Sequence, residues 1–123
     1  MHTVATTSAF ERHAKNAGMT DREIADAIAA IASAPQAGDL IPGTGGCRKV
    51  RVAGRGKGKS GGYRVITYFV TDSAPVYLLT VFGKGEKSNL TNAERNALHS
   101  IAKAIAAELK ERPHGKARVR QNR

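Results

Sequence analysis

The chain has 123 residues, of which 41% are apolar, and a formal net charge of +10. This length supports one compact domain and is short for two. No apolar run is long enough to span a bilayer, and the first ten residues lack the basic start and apolar core of a secretory signal. The single cysteine, Cys47, excludes an internal disulfide and a cysteine-based metal site. We therefore expect a cytoplasmic protein that does not insert into a membrane.

The positive charge is concentrated in the middle and at the end of the chain. Residues 1–39 carry a net charge of −2, residues 40–109 of +7 and residues 110–123 of +5. No acidic residue lies between Asp39 and Asp72. Such a segment attracts polyanions by neutralising phosphates and releasing counterions. A lipid surface is disfavoured because the basic segment is rich in glycine and contains no amphipathic helix. The charge therefore favours a nucleic acid or an acidic protein as partner.

The first third of the chain predicts one short strand and two helices. Residues 3–6 predict the strand. Two capping boxes mark the helix starts: Ser8 with Glu11, and Thr20 with Glu23. The first helix is expected to end near Gly18. The second has one apolar face, formed by Ile24, Ile28 and Ile31. It must stop before Pro35, because the residue ahead of a proline is pushed away from helical angles.

The middle of the chain predicts three strands. Residues 48–52 alternate basic and apolar side chains, which is the period of a half-exposed strand. Arg48, Val50 and Val52 point to one face, and Lys49 and Arg51 to the other. A lysine- and glycine-rich loop is expected at residues 54–62, followed by strands at 63–70 and 76–82 around a turn at 72–75. The short connections indicate an antiparallel meander.

A third capping box, Thr91 with Glu94, begins a long helix that Pro113 ends. Residues 113–123 form a basic tail with little to bury, for which we expect disorder. Residues 1–112 are then a single α+β domain with the order strand-helix-helix-strand-strand-strand-helix. We expect a small, mainly antiparallel sheet with the helices packed on one face.

Residues 53–60 satisfy the loose nucleotide-binding pattern [AG]-x4-G-K-[ST]. The mechanism of that motif requires a strand, the loop, and then a helix whose N-terminus faces the phosphates. Ser60 is followed by Gly61, Gly62 and a β-branched segment, which predict a strand. The pattern therefore does not indicate nucleotide hydrolysis.

The basic segment has a more consistent interpretation as a phosphate-binding site. Seven Lys and Arg residues fall between Arg48 and Arg64, interleaved with glycines that let backbone approach a ligand closely. In the predicted meander, the strand that starts at Tyr63 and the strand that ends at Phe82 meet at one end of the sheet, so Arg64 and Lys84 converge. A flexible, solvated loop that binds phosphates without chemistry remains the alternative.

Cations of this kind suit the cleavage of RNA, which carries its own nucleophile in the 2′-hydroxyl. Guanidinium and ammonium groups stabilise charge that develops on phosphate oxygens in the transition state. A lysine crowded by other cations has a lowered pKa and can take part in proton transfer. The four histidines lie outside the basic segment and form no acid–base pair, and no cluster of His, Asp and Glu indicates a metal. We expect neither a metal nor another cofactor.

The combination of a lysine–glycine loop, Gly-Gly-x-Arg at residues 61–64 and Tyr-Leu-Leu-Thr at residues 77–80 resembles the RelE/HigB toxin family of bacterial type II toxin–antitoxin systems. The similarity extends over roughly residues 3–110. It implies a RelE-like fold and a metal-independent endoribonuclease, an mRNA interferase, that cleaves messenger RNA on the ribosome.

The resemblance also implies roles for individual residues. Arg64 would stabilise the phosphate in the transition state, Lys57 and Lys59 would bind phosphate or act as general base, and Lys84 would stabilise or protonate the leaving oxygen. The residues expected to contact RNA or the ribosome are Arg48, Lys49, Arg51, Arg55 and Lys87. Relatives carry a late aromatic residue that stacks on a base, but none follows Phe82 here, so this role is vacant or falls to Tyr68 or Phe82. Tyr68 is also a candidate core residue, and Cys47 is expected to be buried.

A toxin implies an antitoxin, and we expect a small partner protein with a helix-turn-helix domain, encoded by the adjacent gene. The toxin would contact operator DNA only through this antitoxin. Acidic groups of that partner would complement the basic segment. Two other functions stay open. One is a non-catalytic toxin of the same fold that inhibits a protein such as DNA gyrase, and the other is a plain nucleic-acid-binding module.

Overall fold

The computed structural model describes residues 1–54, 58–83 and 89–111, with only the backbone described at 58–61 and 111. The helices are α1 (Ser8–Asn16), α2 (Asp21–Ser33) and α3 (Asn92–Glu111). The strands are β1 (Val4–Thr6), β2 (Asp39–Leu40), β3 (Cys47–Gly54), β4 (Gly58–Tyr68) and β5 (Val76–Gly83). The α+β class predicted from the sequence is confirmed.

The strands form one five-stranded sheet in the order β1-β5-β4-β3-β2. β3, β4 and β5 are the predicted antiparallel meander. β1 lies parallel to β5 at one edge, and the two-residue β2, which the sequence did not predict, pairs with the start of β3 at the other. Along the described part of β3, pairing with β2 ends at Lys49, so the strand continues as a sheet edge from Val50 onward.

Two apolar cores lie on opposite faces of the sheet. α1 and α2 pack against one set of strand side chains, which includes Val65 and Val81. Their chain neighbours Ile66 and Phe82 pack on the other face with Leu98 of α3. Successive side chains of a strand point to opposite faces, so both faces of β4 and β5 need cover. The expectation that the helices share one face therefore holds for α1 and α2 and not for α3.

Local side-chain hydrogen bonds set the helix starts. α2 has the predicted capping box, in which the Thr20 hydroxyl accepts from the Glu23 backbone N–H and the Glu23 carboxylate from that of Thr20. Thr91 and Glu94 form the equivalent pair at α3. α1 begins one residue earlier than predicted, because Thr7 and not Ser8 is its N-cap, accepting from the Phe10 backbone N–H at 3.1 Å. No described helix is long and apolar enough to cross a membrane.

The β3–β4 hairpin is longer than predicted. β4 already begins at Gly58, so strand replaces much of the loop expected at residues 54–62. The register of β3 against β4 shifts between Val52 and Gly54, as it does at a β-bulge. A Cβ at Gly62 would collide with the Val52 carbonyl oxygen, so the close approach of the two strands requires glycine there. Ser60 and the residues that follow it lie within β4, which confirms that a strand follows this pattern where a nucleotide-binding loop needs a helix.

Candidate functional site

Three cations share the face of the sheet that α3 only partly covers. Arg51 of β3 lies directly opposite Arg64 of β4, and Lys49 lies opposite Ile66. Directly paired side chains share a face and have Cβ atoms about 5 Å apart. Lys49 and Arg64 are half-buried and Arg51 is exposed. We call Lys49, Arg51 and Arg64 the cationic triplet.

The triplet has no anionic partner within the described residues. The one ion pair found there is on α2, between Arg22 and Asp26 at 3.4 Å. Asp39 lies opposite Lys49 in the β2–β3 register, but no ion pair within 4.0 Å joins them. Two arginines placed directly opposite each other repel. The arrangement therefore favours a bound anion, and guanidinium groups match the geometry of a phosphate.

Two residues expected at the site lie elsewhere. Arg48 points to the opposite face of β3, as the alternation predicted, and its guanidinium donates to the Gly38 carbonyl oxygen at 3.0 Å. Tyr68 shares the face of Arg64 but is only 8% exposed and packs in the core under α3 with Cys47. Burial raises the pKa of the Tyr68 hydroxyl. The structure thus gives Tyr68 the core position that the sequence left as one alternative.

Four of the expected site residues, Arg55, Lys57, Lys84 and Lys87, lie outside the described residues, as does the basic tail. Lys59 falls in β4, where only the backbone is described. The frame that would carry Lys84 is present, since Gly83 pairs with Tyr63, the neighbour of Arg64. The predicted meeting of these two strand ends is therefore confirmed, whereas the position of Lys84 stays a prediction.

On the opposite face of the sheet from the triplet, a partly buried hydrogen bond ties β4 to α2. The Tyr63 hydroxyl donates to Glu23 Oε1 at 3.1 Å, and the same oxygen accepts from the Thr20 backbone N–H at 2.9 Å. Glu23 is 7% exposed. Burial and the adjacent Glu23 carboxylate raise the pKa of Tyr63, so its hydroxyl remains a donor. One carboxylate thus caps α2 and anchors the strand residue next to Arg64.

Cys47 and two of the histidines have structural positions. Cys47 is fully buried, as predicted, and burial raises the pKa of its thiol. Among the histidines, His13 Nδ1 lies 2.6 Å from the Thr80 hydroxyl and His2 Nε2 lies 2.7 Å from the Ala74 carbonyl oxygen. Within the described ranges, no three His, Cys, Asp or Glu residues cluster as a metal site would require.

Sequence reasoning missed a small cavity beside the triplet, of about 180 Å³. Its lining includes Lys49 of β3, Phe82 of β5 and Asp39 of β2, together with Asn89 and Leu90, which precede α3, and Arg95 in its first turn. Arg95 directly follows the Thr91–Glu94 capping box, where a charged residue is common in any helix. No local sequence pattern therefore marks it as a site residue. A larger groove of about 830 Å³ lies on the other face, between α2 and the open edge of β3.

Comparison with known families decides the assignment. A family model described as the RelE toxin of the RelE/RelB toxin–antitoxin system matches residues 2–114. The chain belongs to the RelE toxin family. The five-stranded, mostly antiparallel sheet with three helices is consistent with the RelE-like fold. Membership makes the protein the toxin of a toxin–antitoxin pair and implies a cognate antitoxin of RelB type.

Proposed function

We propose that this RelE-family toxin is a ribosome-dependent endoribonuclease that inhibits translation by cleaving messenger RNA without a metal ion. The observation that carries the proposal is the cationic triplet, in which Arg51 and Arg64 face each other with no carboxylate partner in the described chain. Positive groups held together against their repulsion are suited to a phosphate whose charge grows during reaction. Ribosomes as the site of action agree with a cytoplasmic location.

The reaction would be an internal transesterification. The RNA 2′-oxygen loses its proton to a base and attacks the adjacent phosphorus, and the bond to the 5′-oxygen breaks. The products are a 2′,3′-cyclic phosphate and a free 5′-hydroxyl, which takes up one proton. Arg64 would stabilise the pentavalent phosphorane. The resemblance assigns proton transfer and phosphate binding to Lys57, Lys59 and Lys84.

The surrounding cations would hold the RNA and the ribosome. Lys49 and Arg51 flank Arg64 on one face, which supports a role in binding phosphates on either side of the scissile bond. Arg55 and Lys87 keep the same proposed role from their charge and position in the sequence. Arg48, on the opposite face, would contact a different segment. Phe82 and Tyr68 are buried to a similar degree and belong to the same core under α3. Phe82 lies directly opposite Arg64, and this position favours it over Tyr68 for contact with a base.

The cognate antitoxin is proposed to be a small protein encoded beside the toxin, with a helix-turn-helix domain. Acidic groups on it would complement the +7 middle segment, and contact with operator DNA would be made by the antitoxin alone. Absence of any small acidic or helix-turn-helix gene beside this one would contradict this part of the proposal.

The test is cleavage of a defined messenger RNA by purified toxin, with and without programmed ribosomes. Wild type, Arg64→Ala and Arg12→Ala are compared, since Arg12 is an exposed arginine on α1 and its loss changes the net charge equally. We expect wild type and Arg12→Ala to cut only with ribosomes present, and Arg64→Ala to lose at least about 100-fold in rate, the scale on which one transition-state contact acts. A cooperative melting transition no lower than that of wild type would show that both variants fold.

Two results would favour the other functions. If wild type cuts RNA under no condition and instead inhibits DNA gyrase, the protein is a non-catalytic toxin. If it binds RNA without cutting, and each cation contributes a similar small step to affinity, it is a plain nucleic-acid-binding module.

A further inference from the structure

The 180 Å³ cavity beside the triplet has the lining of a nucleobase pocket. Its volume is that of roughly six water molecules, room for one heterocyclic base edge and not for a base pair. Phe82 and Leu90 supply apolar and aromatic walls, and base–aromatic contact is the usual means of holding unpaired RNA bases. Lys49 and Arg95 supply donors, Asp39 an acceptor, and the Asn89 amide both.

Arg95 is held in a fixed orientation at this cavity. It is half-buried, and its guanidinium donates to the Leu90 carbonyl oxygen at 3.0 Å and to Asn92 Oδ1 at 2.7 Å. A guanidinium has five N–H donors, so these two bonds orient the group and leave donors for a ligand. Asp39 and Lys49 are not joined by an ion pair within 4.0 Å, so their charged groups can also bind a ligand.

The cavity lies one side chain away from Arg64. Phe82, which lines the cavity, is the direct partner of Arg64 on β5. Arg51 is the direct partner of Arg64 on β3, and Lys49, which also lines the cavity, lies two residues before Arg51. Direct partners have Cβ atoms about 5 Å apart and diagonal neighbours about 7–8 Å. A single nucleotide spans this separation between a phosphate at Arg64 and its base.

We propose that this cavity binds one base of the RNA next to the phosphate held by Arg64, and that it selects a base whose edge carries both an amino group and a carbonyl oxygen, which is cytosine or guanine. The Asp39 carboxylate accepts from the amino group, while Arg95 and Lys49 donate to the carbonyl oxygen. Adenine lacks the carbonyl and uracil lacks the amino group. The proposal rests on the proposed ribonuclease function.

The test maps cut sites by sequencing after toxin acts on ribosomes programmed with a messenger RNA of varied sequence. Arg95→Met and Asp39→Asn alter the cavity. The control for Arg95→Met is Lys103→Met, which also removes one positive charge but at an exposed position of α3 outside the cavity. We expect wild type and Lys103→Met to enrich cytosine or guanine at one position beside the cut, and the cavity variants to lower this preference about fivefold or more while still cutting. An unchanged distribution in both folded cavity variants would overturn the proposal.

A second measurement does not depend on cleavage. The full chain is titrated with cytidine 5′-monophosphate and with uridine 5′-monophosphate, and the backbone amide resonances of Asn89, Leu90 and Arg95 are followed by NMR. We expect cytidine to shift them at lower concentration than uridine, and Arg95→Met to abolish the difference. Shifts without ribosomal cleavage would leave the cavity proposal standing and remove the ribonuclease. Cleavage on the ribosome with neither amide shifts nor a base preference at the cut would support the ribonuclease and overturn the cavity proposal. An antitoxin that needs Arg95 while cut sites stay unchanged would mean that a protein segment fills the cavity.

Discussion

Neutralising either arginine of the facing pair is expected to stabilise the free toxin. The perturbations are Arg51→Met and Arg64→Met, which remove the charge and keep an apolar stem. Two unit charges about 6 Å apart repel by about 0.7 kcal/mol in a water-like dielectric and by about 3 kcal/mol at an effective dielectric of 20. Screening at physiological salt roughly halves these values. We expect a gain of about 0.5–1 kcal/mol per variant, which is similar in size to the roughly 0.2–1 kcal/mol that favourable cross-strand pairs contribute.

Arg48 on the same strand provides a control for which a loss of stability is expected. Arg48 has the same side chain on the same strand, but it faces away from the pair and donates to the Gly38 carbonyl oxygen at 3.0 Å. Arg48→Met loses that hydrogen bond, so we expect it to destabilise the fold by about 0.5–1 kcal/mol. For a domain of this size, 1 kcal/mol corresponds to about 4 °C in melting temperature.

Thermal denaturation at low and high NaCl is the assay. The gain of Arg51→Met and Arg64→Met should shrink as salt screens the repulsion, and the loss in Arg48→Met should change less. Inorganic phosphate should stabilise wild type more than either variant of the pair, because binding to the folded state alone raises stability. A lower melting temperature for both variants of the pair at low salt, or a gain that salt leaves unchanged, would refute the reasoning.

Three further outcomes follow from contacts around the site. Glu23→Ala should lower the free energy of unfolding by about 2–4 kcal/mol, since it removes a helix cap and a hydrogen bond to a charged group. A double-mutant cycle with Tyr63→Phe checks this, and a coupling energy under about 0.3 kcal/mol would contradict it. Gly62→Ala should destabilise the hairpin, because its Cβ would meet the Val52 carbonyl oxygen; the melting temperature checks it, and a wild-type value would contradict the fold there. Burial raises the pKa of Cys47, so the protonated thiol favours the folded state. This contribution to folding stability is complete below pH 9.0, the ordinary thiol value, and is lost as pH rises through the folded-state pKa. Cys47→Ala should therefore show a shallower decline in melting temperature between pH 9 and 10.5, and an equal decline would exclude the thiol as a cause.

The helix starts and the meander were predictable because they depend on neighbouring residues. The Thr20–Glu23 and Thr91–Glu94 pairs are four-residue patterns that satisfy backbone N–H groups locally, and the structure contains both. α1 deviated by one residue because three consecutive hydroxyl residues, Thr6 to Ser8, compete for the cap. The alternation along residues 48–52 placed Lys49 and Arg51 on one face, and the register agrees.

Sequence alone therefore determined the fold class, the family resemblance and which strands carry the charge, since charge, periodicity and short-range hydrogen bonds are properties of the chain itself. Tertiary structure decided the rest. Only the register of β3, β4 and β5 placed Arg64 between Arg51 and Phe82, and only the packing of α3 on the second face brought Arg95 to Lys49 across the chain. Such contacts join residues far apart in sequence, and the free energy that selects them comes from burying both faces of the sheet at once.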